Sequence, residues 1–381
     1  MYLKTAEKRS YRHVSEYQNA GMENIVINKR RRNGVIFTDY FAATNSYKGF
    51  KSYFKKIFDS RKYERIYVLK GGPGTGKSTF MRNIAEKIQN NNGTVERIFC
   101  SSDPDSLDGI IAYKNERRIA ILDGTAPHER DAAIPGAIDE LINLGDNWDK
   151  RYLIAQKEQI LGIIEQKQRA YSAAYFYLSI SGSCEEEMKK IILEEYDNDS
   201  LISLAKDMAE SYSSNNSDIN NTVLLSSFGK YGSYSISTII DADKTITFNG
   251  NSIVKKHFLT MLYKHLLSRR ESMTAIPYSL NDSLIDAIFL HSSNIAIGLD
   301  NGNNIVDLNE YKRPFRTVFN EYYKFANKIH SEGMAESERW FKIASDLHTR
   351  LEDIYSSAMD FDKNASQAEI VFNEIKNYLE L

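Results

Sequence analysis

Gly71-Gly72-Pro73-Gly74-Thr75-Gly76-Lys77-Ser78-Thr79 decides the reading of this chain. The nine residues satisfy G-x-x-x-x-G-K-[ST], a loop whose backbone N–H groups can surround phosphate. Their setting fits as well. An apolar run, Ile66-Tyr67-Val68-Leu69, precedes them, and Phe80, Met81, Ile84, Ala85 and Ile88 follow at helical spacing. Strand, glycine-rich loop and helix in that order predict a site for a nucleoside triphosphate, ATP, with Mg²⁺. Gly71, Gly72, Pro73, Gly74, Thr75, Gly76, Lys77, Ser78 and Thr79 line it. Lys77 reaches the β- and γ-phosphates, and the Ser78 hydroxyl binds the metal.

Outward from the loop the pattern is α/β. Val35-Ile36-Phe37 reads as a strand, 50–59 as a helix, and Val95–Cys100 as a second strand. Residues 104–111 read as a loop or short helix, and Arg118–Asp123 as a strand ending on a carboxylate. Strands alternating with helices predict a parallel sheet flanked by helices. Asp123 closes its strand after four apolar residues and is the expected second metal ligand. Gly124 follows it, where many ATPases carry a catalytic Glu. The base must then come from elsewhere, and Asp103 and Asp105 are the candidates, at the carboxyl end of a strand. His128, Glu129 and Arg130 can approach the γ-phosphate. Lys77, Asp123, Asp103, Asp105 and His128 form the expected catalytic set.

A second α/β stretch echoes the first. Thr245–Gly250 matches Ile66–Gly71, Asp282-Ser283-Leu284 matches Asp105-Ser106-Leu107, and Ile295-Ala296-Ile297 with Asp300 matches Ile119-Ala120-Ile121 with Asp123. Gly71 to Asp123 spans 52 residues and Gly250 to Asp300 spans 50. The loop after Gly250, Asn251-Ser252-Ile253-Val254-Lys255-Lys256-His257, has lost its glycines and the Ser or Thr after the lysine. The expected organisation is a lead-in at 1–33, the working domain at 34–150, and a helical segment and linker at 151–221. A degenerate copy at 222–310 and a C-terminal helical segment at 311–381 complete it. Trp148, Tyr171, Tyr175, Phe176, Tyr177, Trp340 and Phe341 lie in helical stretches and are expected in cores.

The 381-residue chain has a net charge of −2, 42% hydrophobic residues and two cysteines. It offers no basic field for nucleic acid or an anionic membrane; Lys29-Arg30-Arg31-Arg32 reads as a solvated run. No run approaches the roughly 20 apolar residues of a membrane span, and no signal-peptide core is present. A cytoplasmic location is expected, with a nucleoside triphosphate as ligand and a protein partner or self-association as the further contact.

Tyr67–Thr79, Cys100–Gly109, Asp123-Gly124-Thr125-Ala126-Pro127-His128, Asn143–Asp149 and Ala358-Met359-Asp360-Phe361 together resemble bacterial tandem P-loop proteins, found mainly in spore-forming Gram-positives and generally described as ATPases or nucleotide kinases. The resemblance spans about residues 34–365. It implies ATP binding and two P-loop-like halves, each followed by helices, without implying a particular reaction. Slow Mg-dependent ATP hydrolysis coupled to conformation or partner binding is the expected activity. A nucleotide or small-molecule kinase, and a non-hydrolysing ATP-dependent switch or scaffold, are the rival readings.

Overall fold

Every residue of Ile66–Leu69 and Ile119–Leu122 is fully or almost fully buried. An unbroken apolar run fits a strand covered on both faces, and side chains alternate between those faces. Tyr67, Leu69, Ile119 and Ile121 enter a core against helices; Ile66, Val68, Ala120 and Leu122 enter another against a second sheet.

The computed structural model describes residues 37–213, 220–236, 242–300, 302, 304–314 and 318–381. The lead-in, its basic run, Val35, Ile36 and most of the 213–218 linker lie outside them. The first half runs β1 (Asp39–Phe41), β2 (Ala43–Ser46), β3 (Gly49–Ser52), α1 (Phe54–Ile57), β4 (Arg65–Lys70), α2 (Lys77–Asn90), β5 (Thr94–Phe99), β6 (Leu107–Lys114), β7 (Arg117–Asp123) and β8 (Asp139–Asn143). Helices α3 (Lys150–Ala155), α4 (Lys157–Glu194) and α5 (Asn198–Tyr212) follow. The second half runs β9 (Asn220–Thr222), β10 (Ser226–Gly229), β11 (Gly232–Ser235), β12 (Lys244–Asn249), α6 (Ser252–Ser268), β13 (Met273–Tyr278), β14 (Asn281–Leu290), β15 (Ile295–Ile297) and β16 (Asn304–Asp307), then α7 (Asn320–Ser356) and α8 (Phe361–Leu379).

The two six-stranded sheets share one order: β1-β5-β6-β7-β4-β8 and β9-β13-β14-β15-β12-β16. Neither is wholly parallel, which corrects the sequence expectation. Strand β6 runs antiparallel to β5 and β7. The link from β6 to β7 is only Asn115-Glu116, with Asn115 at φ 56°, and so short a link can only reverse the chain. Residues 50–59 are corrected too. Gly49, at φ 100°, turns the chain so that Phe50–Ser52 pairs with β2, leaving a helix of four residues. From Leu107 the expected loop or helix is strand.

The sheets pack face to face through Ile66, Val68, Ile98 and Leu122 of one and Ile276, Ala287, Phe289 and Ala296 of the other. Helices cover the outer faces, and each half covers the other. Helix α8, at the end of the chain, joins α2 on the first sheet; α5, from the first half, joins α6 on the second. The long helices α4 and α7 carry the chain across as an antiparallel pair, with Ile160 near Ile354 and Ser181 bonded to His330.

Contacts between the halves come in matching pairs. Phe41 and Leu224 exchange backbone hydrogen bonds of 2.8 and 3.2 Å. Trp148 bridges Met359 as Lys312 bridges Tyr196.

Candidate functional site

The loop after β4 closes on the N-terminus of α2. Gly71, Gly74 and Gly76 stand at φ 144°, 67° and 81°, backbone that side chains rarely adopt. Lys77 opens α2 and turns back over the loop, donating to the carbonyls of Gly71 and Gly72 at 2.9 Å each. Its ammonium is 3.6 Å from Asp123 Oδ2. Asp123 Oδ1 accepts from the Thr125 N–H and hydroxyl at 2.8 and 2.6 Å. Ser78 Oγ accepts from the Leu107 N–H at 3.0 Å, which leaves an oxygen lone pair and its proton for other partners.

The structure brings Lys77 and Asp123 together, with Ser78 beside Lys77 at the start of α2 and Asp108 near Asp123. Burial raises the Asp123 pKa, Lys77 lowers it, and the Asp108 charge raises it again. Asp108 lies on β6 beside β7, with its Oδ2 3.0 Å from His128 Nε2. His128 is buried and stacks on Phe54 with centroids 4.0 Å apart.

Arg130 does not face the loop, contrary to the sequence reading. It pairs with buried Asp139 at 2.9 Å and donates to Ser60 Oγ. Glu129 is exposed. Gly124 has no room for the missing carboxylate, because a Cβ there would lie 2.3 Å from Val68 Cγ1. Asp105 is exposed, with its carbonyl bonded to Arg82. Asp103 is ion-paired to Lys230 at 2.9 Å, a partner from the second half.

Sequence reasoning missed the roof of the site. A Cβ on Gly74 would fall 2.4 Å from the Glu352 carbonyl, and Gly76 faces Phe361. Asn364 Nδ2 donates to the Thr75 carbonyl at 2.8 Å. Trp148 and Tyr355 cover Gly72. Burial raises the Glu352 pKa, with Asp103 adding to it and Lys77 and Lys230 opposing. His348 is pushed down to about 4 by burial, then by Lys167 and Lys77, and is neutral at pH 7. The Ala358–Phe361 stretch carries part of the resemblance given above; the contact of Phe361 with Gly76 is tertiary and leaves no local signal.

The corresponding place in the second half is built differently. Gly250 keeps the unusual backbone, at φ 133°. Asn251 then caps a helix at once, its side chain accepting from the Ile253 N–H. Lys256, six residues after Gly250 as Lys77 is after Gly71, therefore lies one turn inside α6, over the Tyr278 ring at 4.1 Å. Helix thus begins two residues after Gly250, against six after Gly71. Strand register also revises two sequence matches: Ile285, not Leu284, stands at the Leu107 position, so Asp282-Ser283-Leu284 is one residue out of step with Asp105-Ser106-Leu107. Ile246 pairs with Ile297 as Tyr67 pairs with Ile121, so Leu299, not Asp300, stands at the Asp123 position. By the same register Asp286 corresponds to Asp108.

A family model described as Nephrocystin 3, N-terminal, matches residues 50–111, from β3 through the loop and α2 into β6. The match covers a small part of the chain. No curated protein and no solved structure matches. The fold and site define an α/β protein of two mixed sheets flanked by helices. Among the described residues no helix is long and apolar enough to cross a membrane, and both cysteines are free.

Proposed function

We propose that residues 71–79 bind ATP and that the protein hydrolyses it slowly, the nucleotide state being passed to the helices that roof the site. One observation carries the reading: three left-handed glycines wrap a loop onto the start of α2, with Lys77 folded over it and the Asp123 carboxylate beside that lysine. Backbone N–H groups and a helix N-terminus in this arrangement suit the β-phosphate.

The residues present fit Mg²⁺. Ser78 and Asp123 offer the hard oxygen ligands that the ion prefers, and a cation would relieve the cost of two neighbouring carboxylates. Bound there, Mg²⁺ would neutralise charge on the β- and γ-phosphates. The chain's own part is positional: Lys77 binds phosphate, Thr125 fixes the Asp123 carboxylate, and Asp108 with His128 stands behind it. Asp103 is the carboxylate available to orient water. Its engagement by Lys230, with a glycine at 124, makes slow turnover the expected rate and favours a switch as the second reading. We further propose that the two halves are copies of one ancestral unit, of which the second has lost its phosphate loop. Their common strand order and the shared backbone at Gly71 and Gly250 support this.

The test is Mg-ATP binding by calorimetry and phosphate release over hours, with Lys77→Ala as control. We expect binding that Lys77→Ala weakens by at least about 10-fold, the loss of a charge-assisted phosphate contact. Binding without phosphate release would select the switch. Equal affinity in both proteins would refute the site.

A further inference from the structure

Lys230 opens the two-residue turn between β10 and β11 and reaches across to the first half. Its ammonium lies 2.9 Å from Asp103 Oδ1, and its side chain is only 16% exposed. The approach is built rather than incidental. Ser227 Oγ donates to the Ser101 carbonyl at 3.1 Å, and the Tyr234 hydroxyl donates to the same oxygen. Gly229 lies so close that a Cβ would come within 3.2 Å of that carbonyl. Burial works against the Lys230 charge, but the bond to Asp103 outweighs it and keeps the ammonium protonated.

Lys230 also shares its surroundings with the phosphate loop. Lys77 and Lys230 both act on Glu352, whose backbone lies against Gly74, and both act on His348. Two cations from opposite halves thus act on the same two α7 side chains, and Asp103 holds the second.

The other half supplies a control. The β2–β3 hairpin is the counterpart of β10–β11, since Ser46 pairs with Gly49 as Gly229 pairs with Gly232. It crosses in the opposite direction, the Tyr47 N–H donating to the Leu280 carbonyl at 2.9 Å. Its first turn residue is Tyr47, which donates to Glu185 at 2.7 Å. Where α6 starts early, the crossing hairpin carries a neutral phenol. Where the loop is open, it carries a lysine.

We infer that Lys230 is a finger supplied by the second half, whose ammonium exchanges Asp103 for the terminal phosphate of a nucleoside triphosphate held at residues 71–79. The inference rests on the proposed nucleotide site. A lysine there acts as a point charge on the oxygens that separate a triphosphate from a diphosphate. Its departure from Asp103 frees that carboxylate to orient water, so one exchange both senses the ligand and completes the site.

Binding of ADP and of a non-hydrolysable ATP analogue, each with Mg²⁺, tests this by calorimetry. Lys230→Ala and Lys230→Gln should weaken the triphosphate about 10-fold, the loss of one charge-assisted bond, and leave ADP unchanged. Lys230→Gln keeps a hydrogen bond to Asp103 and guards against a folding defect, which melting curves would show. Lys230→Arg should retain the preference. Asp103→Asn should sharpen it, because the lysine's competing anion is gone. Equal losses for both nucleotides, or no loss, would overturn the inference. Failure of the wild type to bind either nucleotide, or equal binding by Lys77→Ala, refutes the loop reading itself and is a separate result.

Discussion

Asp123 and Gly124 are adjacent in sequence and opposite in consequence. The carboxylate is held by Thr125 and stands near Lys77, whereas the next position is walled off by Val68. Asp123→Asn should abolish the Mg²⁺ dependence of nucleotide binding, measured by titration with and without chelator. Gly124→Glu should not create a faster ATPase. It should lower stability by about 1–3 kcal/mol through overpacking, and a denaturation midpoint unchanged from wild type would contradict the steric account. Asp286 gives a pH prediction. Desolvation pushes its carboxyl up to about 6, with Lys256 opposing. A raised acid binds protons more tightly in the folded state, so stability falls as pH rises from the unfolded value through the folded one. Asp286→Asn should therefore melt higher than wild type at pH 7.5, with the difference closing near pH 4. At this scale the sequence was legible in contiguous stretches: the glycines before Lys77 and the apolar strand that ends on Asp123, two residues that the fold brings together. Asp108, Lys230 and Glu352 were not, since they reach the site only through tertiary packing from β6, a hairpin and α7.

Among the elements, the contrast between α2 and α6 turns on glycine. Gly74 and Gly76 keep the chain out of helix until Lys77, while Ser252 and Ile253 let the helix begin one turn sooner. Apolar periodicity marked α2, β4 and β7 correctly, but it misplaced β3 and β6. Phe50, Tyr53, Phe54 and Phe58 fit a helical face, yet the Gly49 turn commits Phe50–Ser52 to a hairpin. The Asn115-Glu116 link similarly dictates an antiparallel neighbour, which periodicity alone does not reveal. The long helices meet through small residues, Gly333 against Ser181 and Ser337 against Ala174, and α4 meets the hairpin through another. A Cβ on Gly182 would sit 2.5 Å from Tyr47 Cβ. Gly182→Val should cost about 1–3 kcal/mol as overpacking and disturb the β2–β3 hairpin, read as a lowered melting temperature and shifted amide exchange in residues 43–52.

Across the whole molecule, the boundaries drawn along the sequence separate what folding joins. Residues 151–221 and 311–381 read as appendages, but α5 completes the second core and α8 the first. Nothing local shows this, because an amphipathic helix announces a buried face without naming its partner. A fragment ending at residue 213 should expose the sheet face that Ala368, Val371, Phe372, Ile375 and Leu379 cover. It should lack a cooperative melting transition, and a complementary fragment carrying α7 and α8 should restore one. Nucleotide binding should slow amide exchange at Glu352 and Asn364 as well as in the loop, since both touch it.

The Asn364–Thr75 contact has a temporal side. On the ribosome the phosphate loop emerges nearly 300 residues before the side chain that closes over it. At about 5–20 residues per second that is an interval on the order of tens of seconds. Throughout it the nascent first sheet has α2 on its outer face but still lacks α8. Translation that stops early would leave a chain with its nucleotide signature intact and no means of retaining shape, a fitting substrate for chaperones. Docking of α8 thus reports that translation has passed Asn364.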